Sequence, residues 1–452
     1  MDVCAIVLAA GQGSRMMSDQ PKVLHELGGA PLLVHALKSA GALVPSVTVV
    51  VTGVGGEAVA DAAEEWDPDV RCVHQDEQLG TGHAVLQARE AIADHDGDVI
   101  VLYGDTPFIR PETLDAMQDA SLNHDIVVLG FEVDDPEARY GRLVTDGEEL
   151  IEIVEYKDAS PAVRALTLCN SGVVYAHKAV LFDLLESVTN DNASGEYYLT
   201  DIVAIARARG LSATVVHASH AETLGINTRH ELAMAEAAFQ DNARAEALAD
   251  GVTLTAPESV YFAHDTVIGR DTIVEPNVVF GPGVTIESGA RIRAFSHLEG
   301  CHVGRNAIVG PFARLRPGAQ LASAVRIGNF VEVKNAQIDR GAKVNHLTYI
   351  GDASIGEGTN VGAGTITCNY DGVFKHRTTI GRNVFVGSNT MFVAPVTMGD
   401  DSMSATGTIV TQDVPEGDLA ISRVRQTNKP GLARRIFEKY RETKAALKDG
   451  RL

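Results

Sequence analysis

The sequence lacks the features that would mark a disulfide framework, a zinc site or a membrane span. Five cysteines are scattered through 452 residues without a C-x-x-C pair, which argues against both a disulfide framework and a zinc site. The apolar run at residues 3–10 is too short to cross a bilayer and has no basic segment before it, so it predicts a buried strand rather than a signal peptide. We therefore expect a cytoplasmic protein without membrane insertion.

Positive charge is also scarce, because 38 Lys and Arg residues face 60 Asp and Glu residues and leave a net charge of -22. A nucleic-acid-binding protein would carry a basic footprint, so we expect no nucleic-acid partner. The last thirty residues differ, with ten Lys/Arg against three Asp/Glu, a local charge of +7. This segment is either a solvated tail or a contact for an anionic cofactor. The length predicts two or three domains.

A six-residue repeat fills the second half of the chain. Apolar residues recur at Ile268, Val274, Phe280, Ile286, Ile292 and Leu298, and after a short slip at Val303, Val309, Leu315, Leu321, Ile327 and Val333. One hexad suits a flat strand plus a turn, and three hexads close one coil, with Gly, Asn and Asp at the corners. The pattern predicts a parallel β-solenoid. A β-sandwich would instead show period two and hairpin turns.

A glycine-rich loop follows the first predicted strand, at residues 11–16. Glycines after a buried strand let backbone N–H groups approach phosphate oxygens. The loop matches neither a Walker A motif nor a dinucleotide fingerprint, and an ordinary tight turn is the alternative. Arg15 and Lys22 strengthen the phosphate interpretation, because two cations beside the loop could neutralise a polyphosphate.

Strands and helices alternate after this loop, which predicts a mostly parallel sheet covered by helices. The pattern gives strands at 47–52, 71–74 and 99–103 and helices at 57–65 and 83–93. Asp105 follows the last of these strands. Ligands in open α/β sheets bind beyond the carboxyl ends of strands, where a carboxylate can hold Mg²⁺ against a nucleotide. An Asx-turn is an equally good explanation of Asp105 taken alone.

Five motifs, in the same order, resemble the sugar nucleotidyltransferase family: LAAGxGSRM at 8–16, PKVL at 21–24, QxxQLGTGHA at 75–84, YGD at 103–105 and GEYYLTD at 195–201. With the hexapeptide solenoid, the chain is similar to the bacterial bifunctional family that acetylates glucosamine 1-phosphate and then uridylates the product. NHLTYIGD at 345–352, GAGT at 362–365 and NYDG at 369–372 make the likeness specific. It covers nearly the whole chain.

The resemblance implies an α/β Rossmann-like nucleotidyltransferase domain at 1–228, a connecting helix at 229–250, and a left-handed parallel β-helix of hexapeptide repeats at 251–452 that carries the basic tail. Helical spacing of apolar residues at 230–249 also predicts the connecting helix. Solenoids of this family form homotrimers with acetyl-CoA sites at the subunit seams. Residues 367–378 break the hexad register, as a loop that completes a neighbour's site would do.

In the first domain, the resemblance implies a UTP and UDP-sugar site with Mg²⁺ bound by Asp105 and Asn227. Gln75, Gly80 and Thr81 would read the uracil edge. No protein nucleophile is needed, because the sugar phosphate attacks the α-phosphorus of UTP in line while the metal, Arg15 and Lys22 stabilise the developing charge. The implied nucleotide and sugar contacts are Leu8, Ala9, Ala10, Gly11, Lys22, Gln75, Gly80, Thr81, Tyr103, Gly104, Asp105, Gly141, Glu155, Asn170 and Asn227, of which Gly141, Glu155 and Asn170 would hold N-acetylglucosamine 1-phosphate.

In the solenoid, the repeat predicts that Arg316 and Lys334 stack one coil apart. Each directly follows an inward aliphatic residue, and eighteen residues separate them. We expect two unpaired cations about 4.8 Å apart along the axis, facing outward, which a sugar phosphate between them would neutralise. A solvated face with two basic residues is the alternative.

His346 follows an inward valine by two places, and on its own it is an ordinary surface histidine. The resemblance makes it the general base that deprotonates the amine of glucosamine 1-phosphate before attack on acetyl-CoA. Arg316, Lys334, Tyr349 and Asn360 would bind that substrate. The implied acetyl-CoA contacts are Asn369, Tyr370, Ser388, Thr406 and Arg423. Thr406 departs from the family pattern, which has alanine there, and adds bulk near the coenzyme.

Three functions are compatible with these patterns. The first is the bifunctional enzyme. The second is a pyrophosphorylase with one activity whose solenoid only assembles or regulates, against which Arg316, Lys334 and His346 argue. The third is a noncatalytic assembly subunit, against which Lys22, Asp105 and Asn227 argue. Fold alone does not decide among them.

Overall fold

The computed structural model describes residues 2–135, 137–448 and 451, and the chain forms two compact units. The first runs to Glu246 and includes Phe262–Asp265, and the second comprises Ala247–Tyr261 and the residues from Thr266 onward. Within the described ranges, no helix has the length and apolar character needed to span a membrane.

The first unit is an α/β fold. Its strands are β1 (Val3–Ala9), β2 (Glu26–Leu27), β3 (Ala30–Pro31), β4 (Val47–Thr52), β5 (Arg71–His74), β6 (Asp98–Tyr103), β7 (Ile126–Glu132), β8 (Arg142–Asp146), β9 (Glu149–Val154), β10 (Leu168–His177) and β11 (Ala213–Ala218). Its helices are α1 (Leu32–Gly41), α2 (Gly56–Trp66), α3 (Thr81–Gln87), α4 (Pro111–Ala120), α5 (Pro161–Arg164), α6 (Lys178–Leu185), α7 (Asp201–Ala208) and α8 (Arg229–Ala249), with 3-10 turns at Ser14–Met16 and Lys22–Leu24.

Nine of these strands form one mixed sheet in the order β5-β4-β1-β6-β10-β7-β11-β9-β8. The predicted strands pair in parallel, β1 with β4 and β6, and β4 with β5, whereas β10 runs antiparallel to β6 and β7. Alternate residues of β1 pack into different clusters, Ile6 and Leu8 in one, Ala5 and Val7 in the other. Burial on both faces explains why β1 is a continuous apolar run.

Helix α3 differs from its prediction at 83–93, because it begins at Thr81 and ends at Gln87. Beyond it the chain continues in turns whose N–H groups bond three residues back, as from Ala88 to Val85 at 3.0 Å. The long helix α8 lies where the sequence predicts one. Thr228 and Glu231 form a capping box at its start: the Glu231 N–H donates to Thr228 Oγ1 at 3.1 Å, and the Thr228 N–H donates to Glu231 Oε2 at 2.8 Å.

The second unit is a parallel β-helix followed by α9 (Leu432–Lys448), with a 3-10 turn at Pro257–Ser259. Its strands are β12 (Thr253–Leu254), β13 (Val267–Ile268), β14 (Ile273–Val274), β15 (Val279–Phe280), β16 (Thr285–Ile286), β17 (Arg291–Ile292), β18 (His297–Leu298), β19 (Cys301–Val303), β20 (Ile308–Val309), β21 (Arg314–Leu315), β22 (Ala319–Leu321), β23 (Arg326–Ile338), β24 (Lys343–Ile355), β25 (Asn360–Val361), β26 (Ile366–Cys368), β27 (Thr378–Ile380), β28 (Phe385–Val386), β29 (Met391–Val393), β30 (Val396–Met398), β31 (Met403–Ser404), β32 (Ile409–Val410) and β33 (Leu419–Ala420).

The strand register confirms the predicted coil. Ile268 pairs with Ile286 and Phe280 with Leu298, eighteen residues apart, and the pairing is parallel throughout. Leu298 pairs with Leu315, seventeen residues on, so the slip in the sequence is one corner shortened by a residue. Phe280, Ile286, Leu298 and Leu315 are buried in the core of the coil, whereas Ile268 is half-buried.

Each coil has three faces, and two of its corners matter for function. We call the face that carries β18, β21 and β26 face B. The first corner is the turn before each strand of face B, and the second corner is the turn after it. Phe295, Phe312 and Phe330 stack at the first corner, with ring centroids 4.9 and 5.3 Å apart. Their φ angles are 59°, 55° and 57°, where the sequence pattern predicts Gly, Asn or Asp. Stacking offsets the cost of this left-handed backbone.

Candidate active sites

The first unit contains a cavity of about 370 Å³ beyond the carboxyl ends of β1 and β6. Parallel strands leave such a crevice at this edge of an α/β sheet. Ten of the residues predicted to contact nucleotide or sugar line it: Leu8, Ala9, Ala10, Gly11, Lys22, Gln75, Gly80, Thr81, Tyr103 and Asp105. The structure therefore brings together segments that are far apart in the sequence.

The glycine-rich loop packs directly against Lys22. Gly13 has a φ of +63°, and a Cβ there would lie 2.4 Å from the Cβ of Lys22. Any side chain would push the loop and the lysine apart, so this position requires glycine. The loop is therefore held in direct contact with the Lys22 side chain.

Four polar side chains converge at the mouth of this cavity. The Lys22 ammonium is ion-paired with Asp105 and donates to Asn227 Oδ1 at 3.0 Å. The Arg15 guanidinium donates to the same Asn227 oxygen at 2.9 Å. Asn227 is fixed by helix α8, because its backbone N–H donates to Glu231 Oε2 at 2.7 Å. The capping box of α8 thus sets the position of Asn227.

The predicted sugar contacts Gly141, Glu155 and Asn170 form a second cluster. The Asn170 N–H donates to the Gly141 carbonyl at 2.9 Å, and the Thr200 hydroxyl donates to Glu155 Oε1 at 3.2 Å. Gly141 lies beside both of these residues: a Cβ at this position would be 3.6 Å from Asn170 Cβ and 3.6 Å from Glu155 Oε1. Burial raises the pKa of Glu155. Burial raises the pKa of the Tyr103 hydroxyl, and the Glu155 and Asp105 carboxylates raise it further, so this cluster and the cavity have Tyr103 as a common neighbour.

Four cavity residues were absent from the predicted set although they lie within the motifs that pointed to it: Val23, Gln78, Ala84 and Glu196. Gln78 donates from Nε2 to the Ala10 carbonyl at 2.6 Å and so ties its motif to the glycine-rich loop. The predicted Gly104 follows Tyr103 and donates its N–H to the Leu8 carbonyl at 3.0 Å. Motif membership alone could have included Gln78 and Glu196.

On the β-helix, Arg316 and Lys334 stack as predicted, and the Arg316 N–H donates to the carbonyl of Val333 at 2.9 Å. The expectation that both cations are unpaired is wrong for Arg316, because its guanidinium lies 2.9 Å from Glu332 Oε1. Glu332 is on the neighbouring coil, and the hexad repeat does not indicate which charged side chains on adjacent coils form ion pairs. Arg316 Nε remains buried without a hydrogen-bond partner among the described residues.

A third cation, Lys375, joins this corner. Lys375 lowers the pKa of Lys334, and Arg316 adds to the effect. It belongs to the predicted loop: Ala353 pairs with Thr378, seven residues more than one coil, and residues 370–375 of the intervening chain are exposed. Asp352 partly balances the charge and accepts from Asn335 Nδ2 at 2.6 Å. The break in the hexad register indicated a loop at this position. It did not indicate where the Lys375 side chain in that loop would lie.

His346 is exposed at the first corner, where its Nδ1 lies 2.8 Å from Asn329 Oδ1. Tyr349 lies on face B in a groove of about 480 Å³ that also exposes Phe312, Phe330 and Leu347. Asn360 pairs with Lys343 on the strand that leads to the first corner. The predicted base and the cations therefore occupy opposite ends of face B.

The predicted acetyl-CoA contacts fall into two groups. Ser388, Thr406 and Arg423 lie at or beside the first corner, where the Arg423 guanidinium is bonded to the Thr406 carbonyl and the Gly407 N–H donates to Ser388 at 2.8 Å. Asn369 and Tyr370 lie at the second corner. The Asn369 amide is buried against Asp352, while Tyr370 is exposed.

Both halves of the chain match known families. The profile of the MobA-like NTP transferase domain matches residues 5–199, and that of the bacterial transferase hexapeptide (six repeats) matches residues 265–300. A protein of Ruegeria sp. (strain TM1040) named bifunctional protein GlmU is 64% identical over 450 residues, with all of both chains covered. One of the same name from Dinoroseobacter shibae is 64% identical over 447 residues, with 99% of each chain covered.

The chain belongs to the bifunctional GlmU family. It is an enzyme with two transferase activities, uridylyl transfer in the NTP transferase domain and acetyl transfer in the hexapeptide domain. This membership favours the first of the three interpretations over the scaffold and the noncatalytic subunit. Among solved structures, a UDP-glucose pyrophosphorylase complexed with UDP-glucose is 19% identical with a TM-score of 0.44, and covers 54% of this chain and 100% of its own.

Proposed function

We propose that the cavity of the first unit is the uridylyltransferase site and that the second corner of the β-helix holds the phosphate of glucosamine 1-phosphate for acetylation. The product of acetylation, N-acetylglucosamine 1-phosphate, is then the sugar substrate of the first unit. The observation that carries the first assignment is the convergence of Lys22, Arg15, Asp105 and Asn227 at the mouth of the cavity. Cations and oxygen ligands at one point suit a metal-bound triphosphate.

The residues at this point fit a magnesium ion. Asp105 and Asn227 both direct an oxygen at one cation, the Lys22 ammonium, and an oxygen-only ligand pair suits a hard ion that keeps several waters. Among the described residues no group of three or more His, Cys, Asp or Glu could hold a metal, which is compatible with a site of one carboxylate and one amide. When bound, the ion supplies charge neutralisation to the transferred phosphoryl group.

The protein groups then position the reactants and stabilise charge. We assign Lys22 and Arg15 to the triphosphate, and Gly141, Glu155 and Asn170 to the sugar. The phosphate oxygen of N-acetylglucosamine 1-phosphate attacks the α-phosphorus of UTP, the bond to the β-phosphate oxygen breaks, and pyrophosphate leaves. Positioning and preorganised charge account for the acceleration, and no covalent enzyme intermediate is required.

For acetyl transfer, the second corner supplies three cations, Arg316, Lys334 and Lys375, to one phosphate. The buried Arg316 Nε, which has no partner among the described residues, is a donor that a phosphate oxygen would satisfy. Lys375 was not foreseen as part of this site. Its proximity to Lys334 is unfavourable until an anion lies between them, as the lowered pKa of Lys334 reflects.

His346 is the proposed general base. The side-chain oxygen Oδ1 of Asn329 can only accept a hydrogen bond, so it holds the proton of His346 on Nδ1. His346 Nε2 is then free to take a proton from the substrate amine. The amine nitrogen then forms a bond with the acetyl carbon, and coenzyme A leaves as its thiol.

A homotrimer explains how these groups meet. His346 and the position that pairs with Lys334 on the next coil, Gly351, are five residues apart, a backbone path of at most about 16 Å that includes the first corner. The acetyl-CoA contacts are likewise divided between two corners, and face B exposes Phe312, Phe330 and Leu347. We infer that a neighbouring copy covers this face and contributes the missing contacts. The five free cysteines support a reducing, cytoplasmic location.

The test of the acetyltransferase site is thiol release from acetyl-CoA by the purified chain, without UTP, with glucosamine 1-phosphate or glucosamine 6-phosphate as acceptor. We expect release only with the 1-phosphate. No release with either acceptor, from protein that still makes UDP-N-acetylglucosamine from UTP and the acetylated sugar phosphate, would leave the β-helix as a scaffold.

A further inference from the structure

Arg229 contacts the two segments that carry the cations of the nucleotide site. Its Nε donates to the carbonyl of Met16, the residue after Arg15, at 3.2 Å, and its Nη1 lies 3.2 Å from His25 Nδ1. His25 directly follows the 3-10 turn Lys22–Leu24, which we call the Lys22 turn, and its backbone N–H donates to the Lys22 carbonyl at 3.2 Å. One guanidinium therefore connects the glycine-rich loop and the Lys22 turn to the start of α8.

Asn227 connects the same segments at the mouth of the cavity. Its Oδ1 accepts from the Lys22 ammonium at 3.0 Å and from the Arg15 guanidinium at 2.9 Å. An amide oxygen has two lone pairs, so these two bonds occupy it fully. When Asn227 ligates a metal, its oxygen must release at least one of the two cations. Arg229 uses other acceptors, so its bonds do not compete with the metal.

The helix dipole disfavours a cation at the place where Arg229 lies. Helix α8 begins at this residue, and positive charge is unfavourable at a helix N-terminus. Glu231 in the same turn has the charge that the dipole favours. The stability of α8 therefore does not explain an arginine here, whereas its bonds to Met16 and His25 do.

His25 is an unfavourable residue in its pocket apart from the bond to Arg229. It is 4% exposed, and its Nε2 is buried without a hydrogen-bond partner in the part of the chain that the structure describes. A guanidinium only donates, so His25 Nδ1 is the acceptor and the ring proton is on Nε2. Burial and the Arg229 charge lower the pKa of His25, which favours this neutral ring. An apolar side chain would avoid the unpaired N–H.

We propose that Arg229 and His25 are positioning residues that hold the glycine-rich loop, the Lys22 turn and Asn227 in register while the Asn227 oxygen binds the metal of a metal-bound triphosphate. This deepens the proposed function and rests on its assignment of Asn227 to the metal. Without a metal, Asn227 and Arg229 both connect the segments. With the metal bound, the connection depends on Arg229, because the Asn227 oxygen has changed partner.

The experiment uses the full chain and two measurements. Calorimetry gives the Kd for UTP in excess Mg²⁺, and circular dichroism gives the thermal unfolding midpoint without ligand. Arg229→Ala removes both bonds, and we expect a Kd about tenfold higher with an unchanged midpoint. His230→Ala, at the next residue of α8 and likewise exposed, is the matched control and should change neither quantity.

His25→Leu distinguishes positioning from a purely structural role. The leucine fills the pocket with apolar atoms and removes the unpaired Nε2, so we expect a midpoint at or above that of wild type. It also removes one of the two Arg229 bonds, so we expect a Kd for UTP about threefold higher. If this variant does not fold, Arg229→Lys decides, because lysine keeps the charge without the two-pronged guanidinium. We expect its Kd to approach that of Arg229→Ala, and a wild-type Kd overturns the inference.

The outcomes separate this inference from the assignment on which it rests. A wild-type Kd in Arg229→Ala overturns the positioning role, and so does a wild-type Kd in folded His25→Leu. Weaker binding that is accompanied by a lower unfolding midpoint in both variants also overturns it, since a structural role predicts that result. Asn227→Ala tests the assignment itself: we expect a Kd about tenfold higher or more, and an unchanged Kd overturns Asn227 as a metal ligand.

Discussion

The two proposed active sites of this chain are built in opposite ways. The proposed nucleotide site is a cavity of about 370 Å³, and the residues that we assign to the phosphates, the base and the metal all come from one compact unit. The proposed acetyltransfer site lies on the outer surface of a β-helix, with His346 at one corner of the coil and Lys334 at the next. A closed sheet crevice can surround a ligand, whereas a solenoid face only presents groups in rows.

This difference indicates what each fold requires to become an enzyme. The first unit contains all its proposed contacts, so a single copy can complete its site. The β-helix spaces its groups by strand length and coil rise, which are fixed by backbone geometry. We therefore propose that another surface opposite face B completes its site. The exposed phenylalanine stack and the divided acetyl-CoA contacts fit that requirement.

The largest expected effect is on the enclosed site. Asp105→Ala should lower uridylyl transfer by about 10³-fold or more, because it removes the only carboxylate among the proposed metal ligands. Acetyl transfer should stay at the wild-type rate. Pyrophosphate release and thiol release measure the two activities separately. Asp61→Ala, at an exposed position on α2, is the control. Equal loss of both activities would contradict independent sites.

The converse change tests the open site. His346→Ala should lower acetyl transfer by about 10²- to 10³-fold, since general-base catalysis is lost, and should leave uridylyl transfer intact. His302→Ala, a partly exposed histidine on β19 and off face B, serves as the matched control. Thiol release that persists at the wild-type rate in His346→Ala would remove this histidine from the mechanism.

Mixing inactive chains separates an enclosed site from a shared one. If His346 and Arg423 act together from different copies, a refolded equal mixture of His346→Ala and Arg423→Ala chains should regain roughly a quarter of the wild-type acetyl transfer. A mixture of Lys22→Ala and Asp105→Ala chains should regain none of the uridylyl transfer. Recovery of uridylyl transfer in the second mixture would contradict a nucleotide site completed by one copy. No recovery of acetyl transfer in the first mixture would contradict an acetyltransfer site shared between copies.

The smallest predicted effect is a pH dependence in the enclosed site. The pKa of Glu155 is raised by burial, so its carboxylate is lost nearer neutrality than that of an exposed glutamate as the pH falls. We expect KM for N-acetylglucosamine 1-phosphate to rise a few-fold, roughly, on acidification, because a protonated carboxyl is a poorer acceptor for sugar hydroxyls.

Glu155→Gln should abolish that dependence, and titration of the substrate phosphate cancels when the variant is compared with wild type. KM for UTP, measured in the same series, should change in parallel in both proteins. A wild-type KM for the sugar phosphate that follows the same pH curve as the Glu155→Gln variant would exclude Glu155 from the sugar site.

Much of the β-helix could be predicted because its rule is local. Every inward residue must be apolar once per hexad, so the spacing of Ile268, Ile286 and their successors gave both the coil and its length. The same repeat length predicts that Arg316 stacks over Lys334. The motifs of the first domain likewise predicted most of the cavity lining, since strand-to-loop junctions in an α/β sheet gather at one edge.

The sequence by itself thus determined the two folds, the coil period and most of the lining of the nucleotide cavity. Only the tertiary structure decided that Glu332 pairs with Arg316, that Lys375 returns to Lys334, and that Asn227 meets Lys22 from 205 residues away. The physical reason is that periodicity is set by backbone geometry within a few residues. The partner of a long polar side chain depends on packing between distant segments, which no local pattern encodes.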